Sequence, residues 1–153
     1  MIKRLLFLGL LFCTFMAQGQ SEDVQKELQN RYLGYLIREG YDPEIDADGD
    51  MEFTYNDNNY YLTIDESEKE FFRIARIARL ELTEESDINR VKIICHDITK
   101  EKKVTKVYWF NNNIWVSSEL LFSDSDGFEG IFERAMELTE KSFDEFVTQW
   151  KEN

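Results

Sequence analysis

The chain has 153 residues, 31 of them acidic and 18 basic, for a formal net charge of −13. That charge repels nucleic acid and anionic lipid, so neither is an expected partner through a broad electrostatic surface. Two cysteines cannot supply a disulfide framework for a chain of this length, whereas 14% aromatic residues can supply an ordinary core.

At the N-terminus, Lys3 and Arg4 precede an apolar run from Leu5 to Met16. That run is shorter than the roughly 20 residues a bilayer-spanning helix needs. Ala17, Gln18 and Gly19 follow with the small-x-small spacing of a signal-peptidase site. Residues 1–19 therefore read as a cleaved signal peptide, and residues 20–153 as one α+β domain in the periplasm or outside the cell. Cys13 fails as a lipid-attachment site because Phe12 stands where a small residue is required. Cleavage removes Lys3, Arg4 and Cys13, which takes the charge from −13 to −15 and leaves Cys95 as the one cysteine. No later stretch is long and apolar enough to anchor the mature chain in a membrane.

From about Glu22 to Glu39, Val24, Leu28, Tyr32, Tyr35 and Leu36 recur at helical spacing, with Ser21 as cap and Gly40 as stop. A short extended piece at Pro43 to Ile45 leads to the turn Asp46-Ala47-Asp48-Gly49-Asp50. Met51 to Tyr55 and Tyr60 to Asp65 form a hairpin around Asn56 to Asn59, residue types that tolerate left-handed backbone. Over Glu70 to Leu82 periodicity alone favours a helix, since Phe71, Ile74, Ala75, Ala78 and Leu82 share one helical face. Thr83-Glu84-Glu85 starts a helix whose stripe is Ile88, Val91, Ile94, Cys95 and Ile98. Its end is marked by Lys100, Lys102 and Lys103, which suit the negative end of the dipole. Val104 to Phe110 and Ile114 to Leu121 flank Asn111-Asn112-Asn113 as a second hairpin, and a last helix carries Phe128, Ile131, Phe132, Ala135, Leu138, Phe146 and Trp150.

Asp46, Asp48 and Asp50 alternate as the first ligands of a calcium loop do, but Met51 and Asp57 stand where the loop needs its glycine and its bidentate glutamate. The five-residue segment reads instead as a solvated acidic turn. Cys95 and His96 are neighbours on a helix, about 100° apart, so they cannot act as thiol and base. One histidine and one cysteine leave no zinc set, and no phosphate-cradling or hydrolase motif occurs.

With a three-residue loop at 111–113, Trp109 falls opposite Trp115 and the two indoles stack on one face of the hairpin. If helices cover both faces of the sheet this pair is core; if one face is open it is an adhesive patch for a second subunit or a partner. Arg73, Arg76 and Arg79 concentrate positive charge in an acidic chain, suited to an acidic partner or to internal pairing. Trp109, Trp115, Arg73 and Arg76 are thus the candidate interaction residues.

Leu36-Ile37-Arg38-Glu39-Gly40-Tyr41, then Glu44 to Phe53 through the D-x-D-G-D turn, then Tyr60 to Asp65 and Phe71-Phe72-Arg73-Ile74, resemble the YbjN-like family, whose fold is similar to that of type III secretion chaperones. The motif likeness covers about residues 30–75, and element order covers the rest. The resemblance implies that about Glu70 to Ala78 is a strand, against the periodicity, within an antiparallel sheet with three helices in the order α-β-β-β-β-α-β-β-α. It also implies a domain that often pairs with itself and binds protein rather than catalysing, with no catalytic residues to transfer. The export signal sets this chain apart from secretion chaperones, which act inside the cell.

The expectation is an exported, non-enzymatic protein-binding or chaperone-like module, without cofactor, that binds an unidentified protein or forms a homodimer. A small hydrolase or carbohydrate-binding domain using acidic and aromatic residues is the alternative. A calcium-stabilised exported protein is a third.

Overall fold

The computed structural model describes residues 23–124 and 126–152. The expected signal peptide at 1–19, Cys13 and the Ser21 cap lie outside the described residues.

Helix α1 runs over residues 23–38 and stops at Gly40, whose φ of +87° only glycine adopts freely. The amide of Gly40 donates to Ile37 O at 3.1 Å and that of Tyr41 to Leu36 O at 2.9 Å, the paired bonds of a Schellman end. Six strands follow: β1 (Glu44–Ile45), β2 (Met51–Tyr55), β3 (Asn58–Leu62), β4 (Phe71–Arg79), β5 (Thr105–Phe110) and β6 (Asn113–Leu121). Helix α2 (Glu85–Glu101) lies between β4 and β5, and α3 (Phe132–Glu152) ends the chain. The sheet is antiparallel with the order β1-β2-β3-β4-β6-β5. This is the expected α+β class and element order.

The segment that helical periodicity claimed is the central strand β4, paired with β3 on one side and along its full length with β6 on the other. Ala75 and Ala78 let the sequence satisfy both periods. Hydrogen bonding on two edges decides for the strand. Phe128 and Ile131, expected in the last helix, precede it in a turn in which the Ile131 amide bonds to Phe128 O at 3.0 Å.

Both hairpins close through two-residue turns with left-handed backbone at both positions: Asn56 and Asp57 at φ 49° and 59°, Asn111 and Asn112 at φ 48° and 57°. Such turns match the right-handed twist of the strands they join. The first turn corrects the expected four-residue loop, since Asn58 and Asn59 already belong to β3, and the second corrects the expected three-residue loop. Asn113 already pairs with Phe110, so Tyr108 lies opposite Trp115 and Trp109 opposite Ile114. A slip of one residue exchanges the faces of a strand, and the two indoles point to opposite sides of the sheet.

All three helices pack on one face. Tyr32, Tyr35 and Leu36 of α1 join Met51, Phe53, Tyr60, Leu62, Phe72, Ile74 and the start of α3 in one buried cluster. Val91, Ile94, Cys95 and Ile98 of α2 join Val107, Ile114, Val116, Phe143 and Phe146 in a second. Each fully buried aliphatic or aromatic side chain contributes roughly 1.5–3 kcal/mol. Helix α3 spans both clusters. At their junction a row of buried hydroxyls links Thr105, Ser118 and Thr139, at 3.2 and 2.9 Å. No helix among the described residues is long and apolar enough to cross a membrane.

Candidate functional site

Strand alternation places Phe72, Ile74, Arg76 and Ala78 of β4 on the helix-covered face and Phe71, Arg73, Ala75, Ile77 and Arg79 on the other. Among the described residues no helix packs on that other face. Its rows can be read across the strands from the registers. Ile77, Trp115 and Tyr108 form one row; Tyr61, Ala75, Ser117 and Lys106 the next; Arg73 and Glu119 the third; Phe71 and Leu121 the last.

The aromatic row is ordered by its own contacts. Tyr108 and Trp115 stack with centroids 5.9 Å apart and rings 11° from parallel, a cross-strand pair worth about 0.5–1.5 kcal/mol beyond area burial. Phe110 at 56% exposure extends the apolar surface at the hairpin end, and Leu121 at 66% does so at the far end. Ala75 and Ser117, at the centre of the row between them, are small and buried. The indole N–H of Trp115 has no hydrogen-bond acceptor among the described residues.

Arg73 is held in place on this surface, its Nε donating to Thr63 Oγ1 at 2.8 Å. Burial pushes the Tyr108 phenol up, and the positive charge of Arg73 works against that shift, so the two side chains sense each other across the face. Lys106 pairs with Glu119 in the neighbouring rows.

Of the four residues singled out from the sequence, Trp115 and Arg73 share this face. Trp109 and Arg76 do not. Trp109 packs against the α2 cluster and its Nε1 donates to Leu80 O at 3.0 Å. Arg76 lies under α3 with its guanidinium 3.8 Å from the Phe143 ring centroid and bonded to Asn58 Oδ1 at 2.6 Å. Arg79, at the edge of the open face, pairs with Glu81. Ile77, Tyr108, Phe110 and Leu121 belong to the surface and were not singled out, although alternation from Trp115 and Arg73 reaches all four once the register is known.

The acidic turn is built from its own carboxylates. Asp46 Oδ1 accepts from the amides of Asp48 and Asp50 at 2.9 and 3.0 Å, and Asp50 Oδ1 from the Ile64 amide at 2.7 Å. Burial raises the Asp50 carboxyl above its ordinary range, with the Ile64 amide opposing. Among the described residues no group of three or more His, Cys, Asp or Glu side chains is placed to hold a metal ion. Cys95 is buried in the α2 stripe, its thiol pushed up to about 11 by burial, while His96 beside it is exposed.

No family model and no curated protein matches the chain. Among solved structures it is similar to the crystal structure of YbjN from E. coli, described there as a candidate transcription regulator. The match has a TM-score of 0.56 at 9% sequence identity and covers 78% of this chain and 87% of that one. The likeness is one of fold.

Proposed function

We propose that this chain is an exported, non-enzymatic protein-binding module whose helix-free sheet face, centred on Trp115, Tyr108 and Arg73, receives a partner polypeptide. The observation that carries the reading is the apolar row Ile77-Trp115-Tyr108 with Phe110 beside it, set on an open face of an otherwise strongly acidic chain. Contiguous aromatic surface of this kind is characteristic of sites that another molecule covers. The YbjN fold supports a binding or regulatory role in general terms. A role on duplex DNA is not carried across, because a net charge of −13 opposes it.

The test is site-specific photocrosslinking in the producing cell, with the crosslinker at position 110 or 115 and a control at Lys141 on α3. The same polypeptide captured from both open-face positions and not from Lys141 supports the reading; equal labelling from all three removes it. Light scattering on the purified chain identifies a second copy as the partner if a dimer forms and Trp115→Asp dissolves it.

A further inference from the structure

Where α2 ends and β5 begins, a groove of about 570 Å³ opens at the far end of the sheet. Phe71, Lys106, Glu119 and Leu121 line it and also belong to the open face, so the two surfaces are continuous. Lys102, Lys103 and Lys106 all stand on its wall. The sequence points to the arginines of β4 as the concentrated positive charge. The fold disperses those, sending Arg76 under α3 and pairing Arg79 with Glu81, and gathers the lysines of the α2–β5 corner in their place.

Helix-dipole compensation accounts for Lys102, the C-cap residue of α2, but not for the whole cluster. Lys103 and Lys106 lie beyond the end of α2, one in the connecting turn and one on β5. Nor is the cluster fully neutralised from within. Lys102 pairs with Glu145 and Lys106 with Glu119, but Lys103 is exposed and has no ion-pair partner among the described residues. Glu68 and Glu119 line the groove and Glu145 pairs with Lys102 from beside it, so carboxylates and ammonium groups balance in number and Lys103 is the cation left facing the groove without an ion-pair partner among the described residues. Beside the lysines, Leu121 is 66% exposed and offers an apolar contact. An occupant complementary to both features carries carboxylates and aliphatic side chains together.

We infer that the groove takes an acidic, aliphatic segment of the partner polypeptide, its apolar side chains on Leu121 and Phe71 and its carboxylates toward Lys103 and Lys106. This rests on the proposed function, since it names the chemistry of what lies on the open face.

The test is fluorescence anisotropy of the full chain with three labelled octapeptides: alternating leucine and glutamate, alternating leucine and glutamine, and alternating serine and glutamate. The first is expected to bind, and both others to bind more weakly by about tenfold, the difference expected when either the charge or the apolar contact is missing. Lys103→Glu, which breaks no ion pair, and Lys103→Glu with Lys106→Glu are expected to weaken the first peptide stepwise; Leu121→Asp tests the apolar contact. Unchanged circular dichroism and melting show that each variant is folded. Equal binding of the glutamate and glutamine peptides, or no loss in the lysine variants, overturns the inference. No binding of the leucine-glutamate peptide also overturns it. If crosslinking from position 115 still captures one polypeptide, the open-face reading survives that failure; if it captures none, both fall.

Discussion

Tyr108 and Trp115 face each other across β5 and β6 as a stacked pair on the open side of the sheet, while Trp109, one residue along, is bonded to Leu80 O on the covered side. The two indoles should therefore cost different amounts to remove. Trp115→Ala is expected to destabilise by about 1 kcal/mol, chiefly the lost ring pair. Trp109→Ala opens a hole in the α2 cluster and is expected to cost about 3 kcal/mol or more. Urea denaturation of both variants checks this, and equal losses would contradict the assignment of faces.

Strand β5 is a sheet edge, and its middle is closed by a side chain. Thr99 Oγ1 of α2 accepts from the Val107 amide at 2.8 Å and donates to Val107 O at 3.0 Å, as a neighbouring strand would. Unpaired edges template aggregation. Thr99→Val keeps the shape and removes both bonds. It is expected to cost about 1–3 kcal/mol for the two unsatisfied backbone groups and to raise the exchange rate of the Val107 amide. Hydrogen exchange read by NMR would detect this, and an unchanged rate at Val107 would show that the edge is protected by something else.

The hydroxyls of Thr105, Ser118 and Thr139 form one chain in the core, with Ser118 in the middle. Removing the middle member leaves both others without a partner, whereas removing neighbours together leaves fewer orphans. A double-mutant cycle of Ser118→Ala and Thr139→Val is therefore expected to be non-additive, with a coupling of about 0.5–1.5 kcal/mol in thermal or urea unfolding. Strict additivity would mean that the hydroxyls act independently.

These contrasts bear on what could be read in advance. The turns were legible, because asparagine and aspartate are among the few side-chain-bearing residues that enter left-handed backbone readily, and both hairpins turn on them. The register of the second hairpin was not. Asn111-Asn112-Asn113 offers a two-residue or a three-residue turn with the same residue types, and the choice exchanges Trp109 with Tyr108 opposite Trp115. Strand β4 was hidden for a related reason: its alanines fit both periods, and only the strands on either side decide. The bareness of one face is a property of where three helices pack, which no local pattern records.

Gly49 in the acidic turn has φ +91°, and its carbonyl accepts from Gln29 Nε2 of α1 at 2.9 Å. A Cβ there would also run into Gln25 Nε2. Gly49→Ala is expected to cost about 1–2 kcal/mol for the left-handed backbone, and adding Gln25→Ala should relieve the collision but not that strain. The same turn should be indifferent to calcium, since Asp46 Oδ1 and Asp50 Oδ1 already accept backbone amides. A melting temperature unchanged by millimolar calcium is the expected result, and a rise would restore the calcium-loop reading.

Alkaline pH should unfold the protein through its core phenols. Burial pushes Tyr32, Tyr35 and Tyr60 up to about 12, against about 10 in an unfolded chain. A group whose pKa is raised on folding contributes stability that is complete below its unfolded value and lost as the pH climbs through its folded one. For these three the window is about pH 10 to 12. Tyrosinate absorbance near 295 nm and the loss of far-ultraviolet circular dichroism are expected to rise together in that window. If Tyr32→Phe is introduced, the unfolding midpoint should move to higher pH, because one of the ionisations that pull the chain apart has been removed. Full tyrosinate absorbance near pH 10 with an intact dichroism spectrum would show instead that the phenols ionise without unfolding, and that the cluster around Tyr32 and Phe128 is open to solvent.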